Sequence, residues 1–166
     1  MTRRNPNLGA SYWGHVSFYR FHCSATSIGV RCRACPSTMT KSPSSCLFCA
    51  IAPSRIVAEN EFAYAIRDGY PVTALHTLVI PKRHAPDYFD LSQVEIACCN
   101  SLIFNVREAI QSQDRQVEGF NIGINCGEVA GQTIFHCHIH LIPRRRGDVE
   151  APSGGVRHLI PGKGSY

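Results

Sequence analysis

Three histidines fall within five residues of one apolar segment, Phe135-His136-Cys137-His138-Ile139-His140-Leu141-Ile142. Successive side chains of a strand point to opposite faces. His136, His138 and His140 are therefore expected on one face, repeating about every 6.8 Å. Phe135, Cys137, Ile139 and Leu141 are expected on the other, packed into the core. A lone histidine on a strand is usually structural, but three in alternation make a site. Two chemistries suit them. His-x-His pairs on strands ligate metals. An imidazole nitrogen can also attack phosphorus and form a covalent phosphoramidate. The stretch just upstream, Asn125 to Thr133, favours the second. Gly127 and Gly131 permit close backbone approach, while Asn125, Gln132 and Thr133 are neutral donors for phosphate oxygens.

Thiols form a second group. The chain has nine cysteines, an odd number with no apolar secretory signal, so a disulfide framework is not the first reading. Cys32 and Cys35, with Cys46 and Cys49, form two C-x-x-C pairs that could close a four-thiolate zinc site. The Cys32/Cys35 pair is read as accidental, because its segment lacks the strands and turns of a zinc ribbon. Cys46 and Cys49 stand at the start of a domain with histidines available elsewhere. Cys98, Cys99, Cys126 and Cys137 are expected to be small buried hydrophobes.

The elements that must position these groups can be read in outline. Ile56–Ala58 and Phe62–Arg67 make a hairpin around the polar turn Glu59-Asn60-Glu61. Asp68-Gly69-Tyr70-Pro71 is a turn. His76–Ile80 is a strand stopped by Pro81. Ser92-Gln93-Val94-Glu95 is a capping box. It opens a helix to about Ser112 with Val94, Leu102, Val106, Ala109 and Ile110 along one side. Phe120–Asn125 is a strand with Phe120, Ile122 and Ile124 on one face. Ile134–Ile142 is a strand ended by Pro143. The short connections require antiparallel pairing. The fold class is α+β: an antiparallel sheet of about five strands with one long helix and a short one.

These motifs together resemble the histidine-triad (HIT) superfamily of nucleotide hydrolases and transferases. The resemblance rests on Gly131-Gln132-Thr133-Ile134-Phe135-His136-Cys137-His138-Ile139-His140-Leu141-Ile142-Pro143-Arg144. His76-Thr77-Leu78-Val79-Ile80-Pro81-Lys82-Arg83-His84 and Gly154-Gly155-Val156-Arg157-His158-Leu159-Ile160-Pro161 add to it. It spans Cys46 through Tyr166 and is similar to a zinc-binding bacterial-type branch resembling diadenosine tetraphosphate hydrolases. It implies that His138 is the nucleophile at the α-phosphate of a nucleotide, with His140 beside the leaving group and Gln132 assisting. It implies that Asn125, Gln132, Thr133, His76 and His140 contact the phosphates and that Asp68 binds ribose hydroxyls. Asp68 could equally be an ordinary turn residue before Gly69. Where the family has Gly before the histidine of the first motif, this chain has Leu75. The resemblance further implies structural zinc on Cys46, Cys49, His84 and His136, no organic cofactor, a purine nucleotide substrate and a homodimer.

Charge separates the chain into two parts. Net charge is +5 overall, but residues 1–45 hold six basic side chains, twelve Ser and Thr, and no Asp or Glu. The remainder has eleven basic against twelve acidic residues, a balance of −1. Residues 1–41 are read as an extension: disordered, an organellar transit peptide, or an over-extended start upstream of Met39. Residues 42–166 are read as the catalytic domain. A near-neutral domain without a basic stripe argues against a nucleic-acid partner. No apolar run is long enough to span a membrane, and a cytoplasmic location is expected, or an organellar one with a transit peptide. Arg144-Arg145-Arg146 is either a solvated face or an attractor for a polyphosphate tail. The leading function is hydrolysis of a dinucleoside polyphosphate or nucleoside phosphoramidate through a nucleotidyl-histidine. Alternatives are a nucleotidyltransferase or phosphorylase of the same superfamily and, in a different class, a zinc-ribbon-like nucleic-acid binder on Cys32, Cys35, Cys46 and Cys49.

Overall fold

The computed structural model of the chain describes residues 46–164. The expectations for residues 1–41, including the Cys32/Cys35 pair, lie outside the described residues. Five strands, β1 Ile56–Glu59, β2 Ala63–Arg67, β3 Thr77–Pro81, β4 Val117–Gly123 and β5 Ile139–Arg145, form one sheet. Its order is β1-β2-β3-β5-β4, and every pairing is antiparallel. The long helix, α1, spans Gln93–Gln113. The other helical pieces among the described residues are 3-10 turns, the longest being Gly155–Leu159. The expected α+β architecture is the one observed.

The first hairpin depends on Asn60. Its carbonyl oxygen accepts from the Ala63 and Phe62 amides at 2.9 and 3.2 Å, and its amide donates to the Cys98 carbonyl on α1 at 2.8 Å. One turn side chain thus closes the β1–β2 loop and ties it to the helix.

The sheet buries both faces, with different partners. Ala63, Ala65, Val79, Ile139 and Leu141 pack against Cys99, Leu102, Ile103, Val106 and Ile110 of α1. Tyr64, Ile66, Leu78 and Ile80 point the other way and are covered by Cys46 and Phe48. Residues directly opposite in an antiparallel pair share a face. Leu78 pairs with His140, so His140 stands on the face away from the helix.

Several boundaries differ from the sequence reading. The strand expected at Ile134–Ile142 begins only at Ile139 and runs through Pro143 to Arg145. The Cys137 amide donates instead to the Ala85 carbonyl at 2.7 Å, drawing residues 134–138 off the ladder. Pro143 does not end the strand because β3 pairs with β5 only from Ile139 to Leu141. Beyond Leu141 only β4 flanks β5, and a proline needs no second ladder bond there. Phe135, expected in the core, is half exposed because it lies in this off-ladder segment. β4 starts earlier than expected, at Val117, and Ile122 is exposed on it. Val94 and Ala109 were expected on the buried side of α1 and are exposed. Each stands one residue, about 100° of rotation, from a buried position. The stripe instead begins at Glu95, whose polarity hid it.

Glu95 closes the capping box. Its carboxylate accepts from the Ser92 amide at 2.8 Å, and the Ser92 hydroxyl accepts from the Glu95 amide at 3.3 Å. Arg83 adds two bonds to the same carboxylate, at 2.7 and 2.8 Å. The helix cap thereby anchors the loop after β3 that carries His84. The Arg83 guanidinium, with help from Ser92, holds the Glu95 carboxyl down at about 2, against an ordinary 4.5. A carboxyl lowered on folding stabilises above its unfolded value and loses that contribution as pH falls toward the folded one. Denaturant titrations of wild type and Glu95→Gln are expected to differ most above about pH 5 and to converge as pH falls toward about 2.

Candidate functional site

The three histidines differ in how their nitrogens are engaged. His136 is fully buried, and its Nε2 lies 2.9 Å from the Pro81 carbonyl. A carbonyl only accepts, so that nitrogen carries the proton and Nδ1 keeps its lone pair. His138 has the opposite tautomer. Its Nδ1 lies 2.8 Å from the His136 carbonyl and donates to it, leaving the Nε2 lone pair free. His138 and His140 line a cleft of about 500 Å³ together with Leu47, Phe48, Asp68 and Thr133. The two rings are 5.2 Å apart, and Phe48 stands edge-on to His138 at the same distance.

The free Nδ1 of His136 faces two thiols and a third imidazole. It lies 3.4 Å from Cys46 Sγ, 3.5 Å from Cys49 Sγ and 3.3 Å from His84 Nδ1. Cys49 Sγ is 3.4 Å from His84 Nδ1. Donors bound to one tetrahedral ion at zinc–sulfur and zinc–nitrogen lengths lie about 3.3–3.6 Å apart. The four side chains form a group that could hold a metal ion, and their separations match those edges. The chemistry also fits. Burial and the neighbouring Cys46 push the Cys49 thiol up to about 11, so the pair resists ionising together until a cation supplies the charge.

The loop before the triad turns on two glycines in left-handed or positive-φ geometry, Gly127 at φ 84° and Gly131 at φ 85°. Gln132 is where the structure departs from the sequence reading. Its side-chain oxygen accepts from the Gly127 amide at 2.7 Å, and its amide nitrogen donates to the Pro86 and Ile134 carbonyls at 2.6 and 3.1 Å. Both amide hydrogens are therefore spent on backbone, and Gln132 clamps the loop rather than offering a donor to a phosphate. Thr133 is exposed and lines the cleft, while Asn125 is half-buried beside Gly131.

Asp68, His76 and His140 form a second cluster. Asp68 Oδ1 accepts from the Tyr70 amide at 2.9 Å, as a turn residue would, and Oδ2 lies 3.3 Å from His76 Nδ1. His76 Nε2 lies 3.0 Å from His140 Nδ1. Leu75, in the family's glycine position, has φ 67°. The left-handed turn is kept at a cost of roughly 1–2 kcal/mol for a residue with a Cβ. The Leu75 side chain packs against the helix-side core, which offsets that strain.

Arg144, Arg145 and Arg146 pair with Asp148, Asp114 and Glu118 at 2.8, 2.7 and 2.7 Å. They lie along a different cleft, with Asn121 and Pro152. Sequence reasoning missed the walls of the histidine cleft, Leu47, Phe48, Ile66 and Leu78. The C-x-x-C spacing held a signal for two of them, since the two residues between paired ligands are turned outward from a metal knuckle.

The HIT domain family model matches residues 50–147. The chain is 34% identical over 116 residues to adenylylsulfatase HINT3 of Arabidopsis thaliana, covering 68% of this chain and 58% of that protein. A crystal structure of a Zn-bound histidine triad family protein from Mycobacterium smegmatis superposes with a TM-score of 0.60 at 38% identity, over 66% of this chain and 82% of that one. A histidine triad nucleotide-binding protein from Candida albicans does so with a TM-score of 0.55 at 27% identity, over 61% and 76% of the two chains.

Proposed function

Since this chain belongs to the HIT domain family, we propose that it hydrolyses a nucleotide at its α-phosphate through a nucleotidyl-histidine on His138. The observation that carries this reading is the bond from His138 Nδ1 to the His136 carbonyl, which leaves the Nε2 lone pair for a substrate in the cleft. That lone pair attacks phosphorus, and the leaving group departs with the bonding electrons. Water then attacks the same phosphorus, the P–N bond breaks, and a nucleoside monophosphate leaves.

The cleft walls support a nucleoside. Leu47, Phe48, Ile66 and Leu78 offer apolar contact for a base, and Asp68 stands where ribose hydroxyls could be met. Thr133, Asn125, His76 and His140 surround the place for phosphates. A dinucleoside polyphosphate or nucleoside phosphoramidate with a purine base fits this set. The relative named an adenylylsulfatase supports an adenylyl donor. Gln132 is left out of the catalytic group because its amide is occupied. His138→Ala is expected to lower kcat by at least about a thousandfold with substrate binding kept. A normal kcat in that variant overturns the nucleotidyl-histidine.

Zinc belongs in this reading on Cys46, Cys49, His84 and His136. When bound, it supplies a closed structural anchor rather than a reactive site. Cys46, Cys49 and the chain between them then hold Leu47 and Phe48 against the cleft. Purified protein is expected to carry about one zinc per chain and Cys46→Ser much less. Less than about half an equivalent in wild type counts against the site.

A homodimer is the final part of the proposal. β4 is a terminal strand of the sheet, and Phe104 and Ile122 are exposed beside it at 63% and 51%. They border an apolar cleft of about 540 Å³ between α1 and β4. An unpaired edge next to exposed apolar surface favours pairing with another chain. Light scattering is expected to give twice the 18.4 kDa chain mass, and Phe104→Glu with Ile122→Asp is expected to return it to the monomer value.

A further inference from the structure

We propose that Asp68, acting through His76, is the positioning residue that fixes which nitrogen of His140 carries the proton. His140 then meets the hydrolytic water with a free Nε2 lone pair. This rests on the nucleotidyl-histidine reading and adds to it a role for the carboxylate that does not depend on ribose.

The direction of the chain follows from what each atom can give. A carboxylate has no proton to donate, so Asp68 Oδ2 at 3.3 Å must accept from His76 Nδ1. A neutral imidazole protonated at Nδ1 has its lone pair at Nε2. That lone pair faces His140 Nδ1 at 3.0 Å and accepts from it. His140 is then protonated at Nδ1 and bare at Nε2. Asp68 does not reach His140 directly, since Oδ2 stands 4.0 Å from Nδ1.

Three observations favour a relay. The two nitrogens of His76 face different partners, whereas a chelated ion would draw the donors of all three residues to one point. The Asp68 carboxylate is itself held, with Oδ1 taken by the Tyr70 amide. His76 is buried and His140 mostly so, and loss of hydration lowers both their proton affinities, that of His140 to about 4. Both rings are therefore neutral near pH 7, the condition in which a choice of tautomer exists. The Val72 amide lies 3.4 Å from the same His76 Nδ1, at the outer limit of a hydrogen bond, and a charged acceptor outweighs it.

The step balances. Water oxygen forms a bond to phosphorus as the P–N bond to His138 breaks, and that electron pair returns to His138 Nε2. The proton lost by water goes to His140 Nε2. The imidazolium so formed is stabilised by Asp68 across His76, as a buried aspartate stabilises the histidine of a serine-protease triad. His140 is the catalytic residue in this step, while Asp68 and His76 position it.

The test has two arms. Nitrogen-15 NMR of the free protein, with His140 assigned by loss of its signals in His140→Gln, is expected to show the Nδ1–H tautomer in wild type and a mixture in Asp68→Asn. Single-turnover and steady-state kinetics then compare a ribonucleotide substrate with its 2′,3′-dideoxy analogue. Asp68→Asn is expected to lower kcat about a hundredfold on both. An Nε2–H tautomer in wild type overturns the proposal. So does an Asp68→Asn enzyme that matches wild type on the dideoxy substrate, since its effect would then run through ribose alone. The NMR arm needs no turnover, so absence of hydrolysis would defeat the functional reading and leave the relay to be decided on the free protein.

Discussion

A neutral imidazole offers a proton at one nitrogen and a lone pair at the other, and everything about this site depends on which is which. Backbone carbonyls make the choice for two of the three histidines. Pro81 takes the proton of His136 and turns its lone pair toward the thiols. His136 in turn takes the proton of His138 and turns the other lone pair into the cleft. Two residues in one run are given opposite tautomers by acceptors that cannot reverse their role. Side chains could set the same tautomers, but a carbonyl never titrates, so the assignment holds at any pH where the fold does.

Those carbonyls are in place because the sheet is used asymmetrically. One face is spent on α1 and supplies the bulk of the core. The other is covered only by the short segment from Cys46 to Ile51, which leaves a cleft beside it. The triad leaves the ladder before Ile139 so that His136 can lie under that segment, and it rejoins at His140 opposite Leu78. A continuous strand would have kept the histidines at one spacing on one face. The break lets His136 serve the thiol cluster while His138 and His140 serve the cleft. Glu95 matters at a distance: by gripping Arg83 it ties the helix cap to the loop that carries His84.

Much of this was legible from residue order. The triad, the glycine loop, the cysteine pair and the capping box are local patterns, and each names its own geometry. Element type was legible for the same reason. What could not be read were the consequences of non-local pairing. Pro143 reads as a strand terminator unless β3 is known to stop at Leu141's partner. Gln132 reads as a phosphate donor until three backbone groups, from Gly127, Pro86 and Ile134, are seen to occupy its amide. Glu95 reads as a solvated helix residue until Arg83 arrives from twelve positions away to compensate its burial. In each case a polar or cyclic side chain was satisfied by a partner that sequence distance concealed.

The placement of charge bears on the chemistry. The basic excess lies before residue 46, and the arginine run after the triad is neutralised by Asp148, Asp114 and Glu118. Arg55 is the cation on the lining of the histidine cleft. A cleft crowded with cations would bind substrate and product phosphates equally well, and uniform binding of that kind does not raise kcat. It would also lower the proton affinity of His140 further, and that ring is already depressed by burial. Neutral donors and neutral imidazoles avoid both effects. They leave a single carboxylate, Asp68, as the fixed charge close enough to favour a proton arriving on His140. The electrostatics are thus arranged for the proton rather than for the phosphate, and the glycine loop provides the phosphate's place by shape.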